Sequence, residues 1–314
     1  MSALTLHGPR WVTMRQHRAA IKAFAIVVLL AALAVTAFLI VSGIAEPKTD
    51  LASQSEGAMT ALLKQATTPL TLLPVLVGAF VAGPLVAREL ESGTYTWLWT
   101  QSVSPARWLA AKLAVVTAVV LSGSAVLVVL FRVARSGLSE TSLFSLTWYD
   151  TAYEMLGPVA VVQCALGIGV GTLVGLLVRR TVPAMVTAGL AVLATQMLFA
   201  GVLRDLLWPV ETVLSKEQLA TGLPSPGIQI IEDGMLTASG ERILWSTCYG
   251  PTGVGDTPEG CMTKLGGVQH FTDVHPESHF WPLQLIESGL LLVLVAITVT
   301  VAFRVLGKRY GSGA

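Results

Sequence analysis

Charged residues are scarce in this sequence. Asp, Glu, Lys and Arg make up 12% of its 314 residues, half of the ~25% that is usual for soluble globular domains. Hydrophobic residues make up 53% of the chain, and the mean hydropathy is +0.69. A surface with so few charges faces a medium other than water. The net charge of +1 gives no indication of a nucleic-acid partner, and none is expected.

Several motifs of catalysis and nucleotide binding are also missing. The sequence has no Gly-x-x-x-x-Gly-Lys-Ser/Thr phosphate loop, so any ATP hydrolysis would reside in another chain. It has no Gly-x-Ser-x-Gly or His-Glu-x-x-His motif, which argues against serine-hydrolase and zinc-peptidase chemistry. We therefore predict a protein that is not an enzyme and carries no cofactor or metal of its own.

Long apolar runs are present instead. A helix needs about 20 mostly apolar residues to cross a bilayer, where its backbone groups must satisfy one another. No Lys, Arg or Asp lies at the centre of these runs. The predicted fold class is an all-α integral membrane protein with six transmembrane helices, or spans: Ala23–Ile44, Leu70–Val86, Leu113–Phe131, Gly157–Val178, Val182–Leu203 and Leu283–Val305.

The distribution of charge predicts the orientation of these spans. One set of segments between the spans and at the termini holds twelve Lys and Arg and two acids; the other set holds eight Lys and Arg and sixteen acids. Because basic flanks stay inside, both termini are predicted to be cytoplasmic. The expected domains are a cytoplasmic or interfacial segment (1–22), spans one to five (23–203) with a cytoplasmic segment (88–112), a small external domain (204–281), and span six with a cytoplasmic tail (282–314).

The external domain has two local signals of its own. Ile228–Ile231 and Arg242–Trp245 are apolar enough to be strands, with a turn signal between them. Cys248 and Cys261 have twelve residues between them and lie in a compartment that permits disulfides, so we predict that they are bridged, with two free thiols as the alternative. Cys164, the third cysteine, lies in the fourth span and is expected to be an apolar filler.

The segment between the second and third spans is unusual. Residues 88–112 hold three of the eight tryptophans, and they are far longer than the 2–8 residues that usually connect bundle helices. Ser104 followed by Pro105 indicates an N-cap and a first helical residue. We predict a short interfacial helix followed by a turn into the third span. Such an element would be accessible to a cytoplasmic partner.

This segment resembles the first cytoplasmic loop of bacterial type-2 ABC exporter permeases, the transmembrane subunits of the ABC-2 family. The resemblance rests on Arg-Glu-x-Glu-x-Gly-Thr at 88–94, Trp-Thr-Gln-Ser-Val at 99–103 and Arg-Trp-Leu-x-x-Lys at 107–112. Stretches 15–18, 179–185 and 278–287 resemble other parts of the same family in the same order.

The resemblance implies a multi-pass permease of the bacterial plasma membrane that pairs with a second copy or a paralogue. Two cytoplasmic ABC ATPase subunits would bind ATP and Mg and drive export. A coupling helix within the segment would contact them. The candidate coupling residues are Arg88, Glu89, Glu91, Gly93, Thr94, Trp97, Trp99 and Gln101. Glu89 and Glu91 are expected to pair with basic groups of the ATPase or with Arg88.

Three further features have two interpretations each. Gly167, Gly171 and Gly175 line one face of the fourth span and would pack against a helix of the same bundle or, less favoured, of a second subunit. Glu287, the one acid inside a predicted span, would pair with Arg132 or Arg204 or act on a proton or substrate; pairing is favoured. His270, His275 and His279 are candidate zinc ligands, but a polar loop at the membrane surface is the favoured interpretation.

Two other functions are compatible with these residues. An ion-gradient-driven transporter usually has ionisable residues near the bilayer midplane, and Glu287 is the one candidate. A membrane sensor or assembly protein would bind a ligand through the external loop. A neighbouring ATPase gene would favour the exporter, and its absence would favour the sensor.

Overall fold

A computed structural model describes residues 18–44, 49–94, 104–149, 152–215, 227–248 and 257–310. It is mostly helical and divides into two compact units. The first unit comprises residues 1–138, 154–204 and 284–314, and the second comprises residues 139–153 and 205–283. The predicted 204–281 domain thus corresponds to most of the second unit, to which the segment after the third span also belongs.

Six helices among the described residues are long and apolar enough to cross a membrane, which confirms the predicted fold class. The first unit carries these spans, and the sixth begins in the second unit. Their helical segments are Arg18–Ile44; Asp50–Thr71, Leu73–Leu76, Val77–Ala82 and Gly83–Glu91; Pro105–Ser136; Val159–Val178; Thr181–Leu198, Phe199–Leu203 and Arg204–Leu207; and Phe280–Tyr310. Two segments, Val77–Ala82 and Phe199–Leu203, are π-helical.

The second span begins about 20 residues earlier than its apolar run predicts, because Asp50–Thr71 is helical as well. Thr49 caps this segment, its side chain accepting a hydrogen bond from the Ala52 backbone N–H at 3.3 Å. Met59, Leu63 and Thr67 are buried at intervals of four residues, which is the spacing of one helix face. The segment is amphipathic rather than apolar all round, so a criterion of continuous hydrophobicity misses it.

The second span is irregular where its prolines lie. A turn at Leu72 precedes Pro74, and the π-helical segment ends at Gly83, whose N–H reaches back five residues to the Gly78 carbonyl. Proline removes a backbone donor, and spans tolerate this where neighbours satisfy the freed groups. The Gln196 side-chain amide of the fifth span donates to the Thr71 carbonyl at 2.9 Å, which stabilises the backbone at the break.

The three glycines of the fourth span pack inside the bundle. Added Cβ atoms would lie 2.6 Å from the Gly78 carbonyl oxygen at Gly171 and 2.7 Å from the Gly83 carbonyl oxygen at Gly175. At Gly167 the Cβ would meet the Pro74 carbonyl. The fourth span therefore lies directly against the backbone of the irregular stretch of the second span, and this contact agrees with the favoured interpretation of the glycine pattern.

The second unit is built on an antiparallel four-stranded sheet with the order β1-β4-β2-β3. The strands are β1 Glu211–Ser215, β2 Ile228–Thr237, β3 Arg242–Leu244 and β4 Gly267–Pro276, followed along the chain by a 3₁₀ turn at Glu277–His279. Two of these strands, β2 and β3, lie where the sequence predicts strands. The prediction of a polar loop around His270 is wrong, because this residue lies in β4, a central strand.

Asp273, a charged residue of β4, is stabilised inside the sheet by partners on neighbouring strands. Asp273 is buried, accepts a hydrogen bond from Thr212 on β1 at 2.6 Å and forms an ion pair with Arg242 on β3 at 2.6 Å. Beside the sheet, Cys248 forms a disulfide with Cys261 on the short helix Pro258–Lys264, as the sequence predicts. The bridge encloses a loop of twelve residues, for which chain entropy alone gives a stabilisation of about 3 kcal/mol.

Candidate coupling site at the connector end

One end of the bundle is formed by the end of the second span at Glu91, the start of the third at Pro105, the end of the fourth at Val178 and the start of the fifth at Thr181. We call it the connector end, because the segment between the second and third spans belongs to it. Ser104 caps the third span by accepting a hydrogen bond from the Arg107 N–H at 3.4 Å, with Pro105 as the first helical residue. This confirms the predicted start of the helix.

Glu89 joins the second span to the third. Its Oε2 accepts a hydrogen bond from the Trp108 indole Nε1 at 3.0 Å, and its Oε1 forms an ion pair with the Lys112 ammonium. Lys112 also donates to the Leu85 carbonyl at 3.3 Å. Trp108 and Lys112 are four residues apart, so they share the helix face that Glu89 contacts. Both are buried, and the Glu89 side chain is 16% exposed, so this ion pair lies largely out of water.

Glu91 joins the second span to the fifth. Its Oε2 accepts hydrogen bonds from the Thr181 backbone N–H at 2.8 Å and from the Thr181 hydroxyl at 2.5 Å. Thr181 is the first residue of the fifth helix, and the preceding Arg180 provides no side-chain cap. The Glu91 carboxylate thus pairs with a backbone N–H that has no acceptor within the fifth helix. It lies at the N-terminus of that helix, where the helix dipole favours a negative charge.

Among the described residues, these two acids contact other spans and not Arg88, whereas their pairing with an ATPase stays a prediction. Their observed partners come from the third and fifth spans, which brings Glu89, Trp108 and Lys112 into one internal network. Local sequence does not identify these partners, because Lys112 lies 23 residues after Glu89 and Thr181 lies 90 residues after Glu91. Helix packing brings each pair together.

The remaining coupling candidates divide into two groups. Arg88 lies in the last turn of the second span, and its side chain is exposed. Gly93 and Thr94 follow the end of this helix, and Gly93 has the positive φ of 71° that favours glycine there. The Thr94 hydroxyl is 3.0 Å from that of Ser92. Trp97, Trp99 and Gln101, together with the predicted interfacial helix, lie outside the described residues.

Glu287 lies towards the opposite end of the bundle, where Arg204 contacts two carboxylates. Arg204 Nε is 3.3 Å from Glu287 Oε2, and its Nη2 is 2.7 Å from Glu154 Oε1. Arg204 is one of the two partners that the sequence predicts for Glu287. The other, Arg132, donates to the Leu156 carbonyl at 2.7 Å. Glu154 was not predicted as a partner, because it lies outside the predicted spans.

The histidines of the second unit form two separate contacts. His270 stacks on Trp245 with ring centroids 5.9 Å apart. His275 and His279 face each other through their Nδ1 atoms at 2.9 Å, and His279 Nε2 lies 3.1 Å from Glu211 Oε1. Within the described residues, no three His, Cys, Asp or Glu side chains converge as metal ligands would.

The sequence of the first five spans matches a known protein family. The family model of ABC-2 membrane transporter related proteins matches residues 16–204, which is more than half of the chain. The protein belongs to this family. The match runs from two residues before the first-span helix to Arg204 in the fifth span, so it includes the whole connector end. The structure and the family together make this ABC-2-related chain a multi-pass membrane protein. Comparisons with curated proteins and with solved structures gave no match.

Proposed function

We propose that this protein is the permease subunit of an ATP-driven exporter in a bacterial plasma membrane. It would pair with a second copy or a paralogue, with both termini and the connector end in the cytoplasm. Separate ABC ATPase chains, which themselves bind ATP and Mg, would dock at the connector end. The family membership supports a transport role, and a separate ATPase chain is consistent with a sequence that contains no phosphate loop.

The observation that carries this proposal is the network of Glu89 and Glu91. These acids lie within three residues at the end of the second span and bind the third span through Lys112 and the fifth through Thr181. A partner that displaces the segment between the second and third spans would therefore move the second, third and fifth spans together. Ion pairs and hydrogen bonds that link rigid helices are physical carriers of such coupling.

The irregular stretch of the second span supplies a place where this movement could be absorbed. Val77–Ala82 is π-helical, lies between Pro74 and Pro84, and packs against the fourth span at Gly171. Proline sites and π-segments are where long helices bend. In the proposed mechanism, ATP binding draws the ATPase chains together. The segment between the second and third spans moves with them, and the second span bends at its irregular stretch.

Reversing the charge of Arg88 tests the docking surface without disturbing the internal network. Arg88→Glu should weaken association with the ATPase and lower the ATP hydrolysis that the permease stimulates towards the basal rate. A charge at the rim of an interface acts mainly on encounter, so we expect a change of roughly tenfold at low salt and less at high salt. Co-purification and ATPase assays in proteoliposomes, with the ATPase recovered alongside the wild-type chain, measure both effects.

The matched control is Lys264→Glu. Lys264 is exposed, lies on the short helix Pro258–Lys264 of the second unit, and its replacement changes the net charge by the same amount. It should leave association and hydrolysis close to those of the wild type. If Arg88→Glu retains wild-type association and stimulation at low salt, the connector end is not the docking surface.

A further inference from the structure

A cavity of about 430 Å³ lies between the first, second and third spans. Its lining side chains are all apolar. On the second span they reach from Met59 to Leu70, a length of roughly 16 Å at the rise of an α-helix. The cavity is therefore elongated along the spans, which is also the direction of lipid chains in a bilayer.

The cavity has a buried floor and an exposed mouth. Met59 and Leu63 of the second span and Phe131 of the third are at most 5% exposed. In contrast, Leu30 of the first span is 60% exposed and Leu62 of the second is 46% exposed. Both helices are long and apolar enough to cross a membrane, so we infer that this apolar mouth opens onto lipid.

Physical chemistry restricts what fills this space. An apolar cavity does not retain water, because water needs two or more polar partners there. An empty cavity of this size forfeits dispersion contacts in proportion to its volume. Selective binding of a polar small molecule depends on a few placed polar groups, and none lines this cavity. A flexible hydrocarbon chain meets all of these conditions.

We propose that this cavity binds one acyl chain of a bilayer phospholipid. The chain enters through the mouth at Leu30 and Leu62 and lies against Met59, Leu63 and Phe131, while its headgroup remains in the interface. Packing contacts drive this binding, since lipid tails outside are as apolar as the cavity wall. The high concentration of lipid keeps the site filled by mass action. The proposal goes beyond the proposed function, as it requires no ATPase.

Photolabelling in vesicles tests this directly. The full-length protein is reconstituted in phosphatidylcholine that carries a mid-chain diazirine, irradiated, digested and analysed by mass spectrometry. We expect label on Met59 and Leu63, which lipids around the outside of the protein do not reach. Label confined to exposed residues that do not line the cavity, such as Leu29 and Leu33, would overturn the proposal.

A filling variant provides a second, independent measurement. Ala34 lines the cavity, whereas Ala37 is exposed on the same helix and does not line it. Ala34→Phe should reduce label on Met59 and Leu63 by roughly tenfold, because the ring occupies the space of the chain. Ala37→Phe should leave it unchanged. Equal labelling in both folded variants contradicts the proposal; if Ala34→Phe does not fold, the position of the label in the wild type decides.

Discussion

Gly171→Leu should prevent the bundle from folding stably. A Cβ at this position would lie 2.6 Å from the Gly78 carbonyl oxygen, 2.7 Å from Ala82 Cβ and 2.9 Å from the Gly83 nitrogen. These neighbours belong mostly to backbone, which cannot rotate away as a side chain can. Overpacking of this kind costs about 3 kcal/mol or more, a large share of the 5–15 kcal/mol that stabilises a typical domain.

Gly289→Leu is the matched control, because Gly289 lies in the sixth span with nothing within 4 Å of an added Cβ. Thermal unfolding and the fraction of monodisperse protein in detergent compare the two variants. Gly171→Ala should fall between them, since it adds the Cβ without the rest of the side chain. A Gly171→Leu protein as stable as Gly289→Leu would show that the fourth span does not pack on the second as described.

Glu89→Gln should destabilise the protein by about 3 kcal/mol, because the Lys112 ammonium would remain buried without its carboxylate. The neutral amide would still accept the hydrogen bond of Trp108. The loss of stability would therefore come mainly from the missing charge and not from a change in side-chain shape. Thermal or chemical unfolding in detergent measures it. The same variant should also lose activity, but through instability as well as through coupling, which is why Arg88 is the better test of docking.

A second change separates these two causes. Glu89→Gln combined with Lys112→Met removes both charges and keeps similar volumes, so it should recover most of the lost stability. If the single variant is as stable as the wild type, or the double variant is no more stable than the single one, the ion pair does not hold the second and third spans together. Activity that stays low in a restored double variant would indicate that the pair itself transmits movement.

The sequence predicted the features of the bundle that depend on local composition. Six spans follow from apolar runs, the start of the third from Ser104 and Pro105, and the glycine contact from a spacing of four residues. The early start of the second span was missed, because Asp50–Thr71 is amphipathic and only one face of it is buried. Hydrophobicity alone does not distinguish such a helix from a loop.

The features that depend on distant contacts were not predictable from local patterns. β4 has an apolar and polar composition typical of an exposed segment, yet Asp273 is buried because Arg242 and Thr212 approach from neighbouring strands. In the same way, Glu89 looks like a surface acid until Lys112 is brought to it by helix packing. A buried charge is stable only with its partner, and the partner is known only from the fold.

The contact between His275 and His279 makes the turn before the sixth span sensitive to acid. Their Nδ1 atoms are 2.9 Å apart, so one Nδ1 carries a proton and donates it in a hydrogen bond to the other. Burial, and to a lesser degree the charge of His279, lowers the pKa of His275, while Asp205 and Glu211 act in the opposite direction. Tyr149, which stacks on the His275 ring, hydrogen-bonds to Asp205.

The direction of this sensitivity follows from proton binding. An unfolded histidine takes up a proton near pH 6.5, but the folded His275 does so at lower pH. Between these two values the unfolded chain holds more protons, so stability falls as the pH falls and is fully retained above that window. Proton uptake by His275 thus favours a state in which the turn is unfolded. Acidification would loosen the chain where it passes from the sheet into the sixth span, and neutral conditions would close it again.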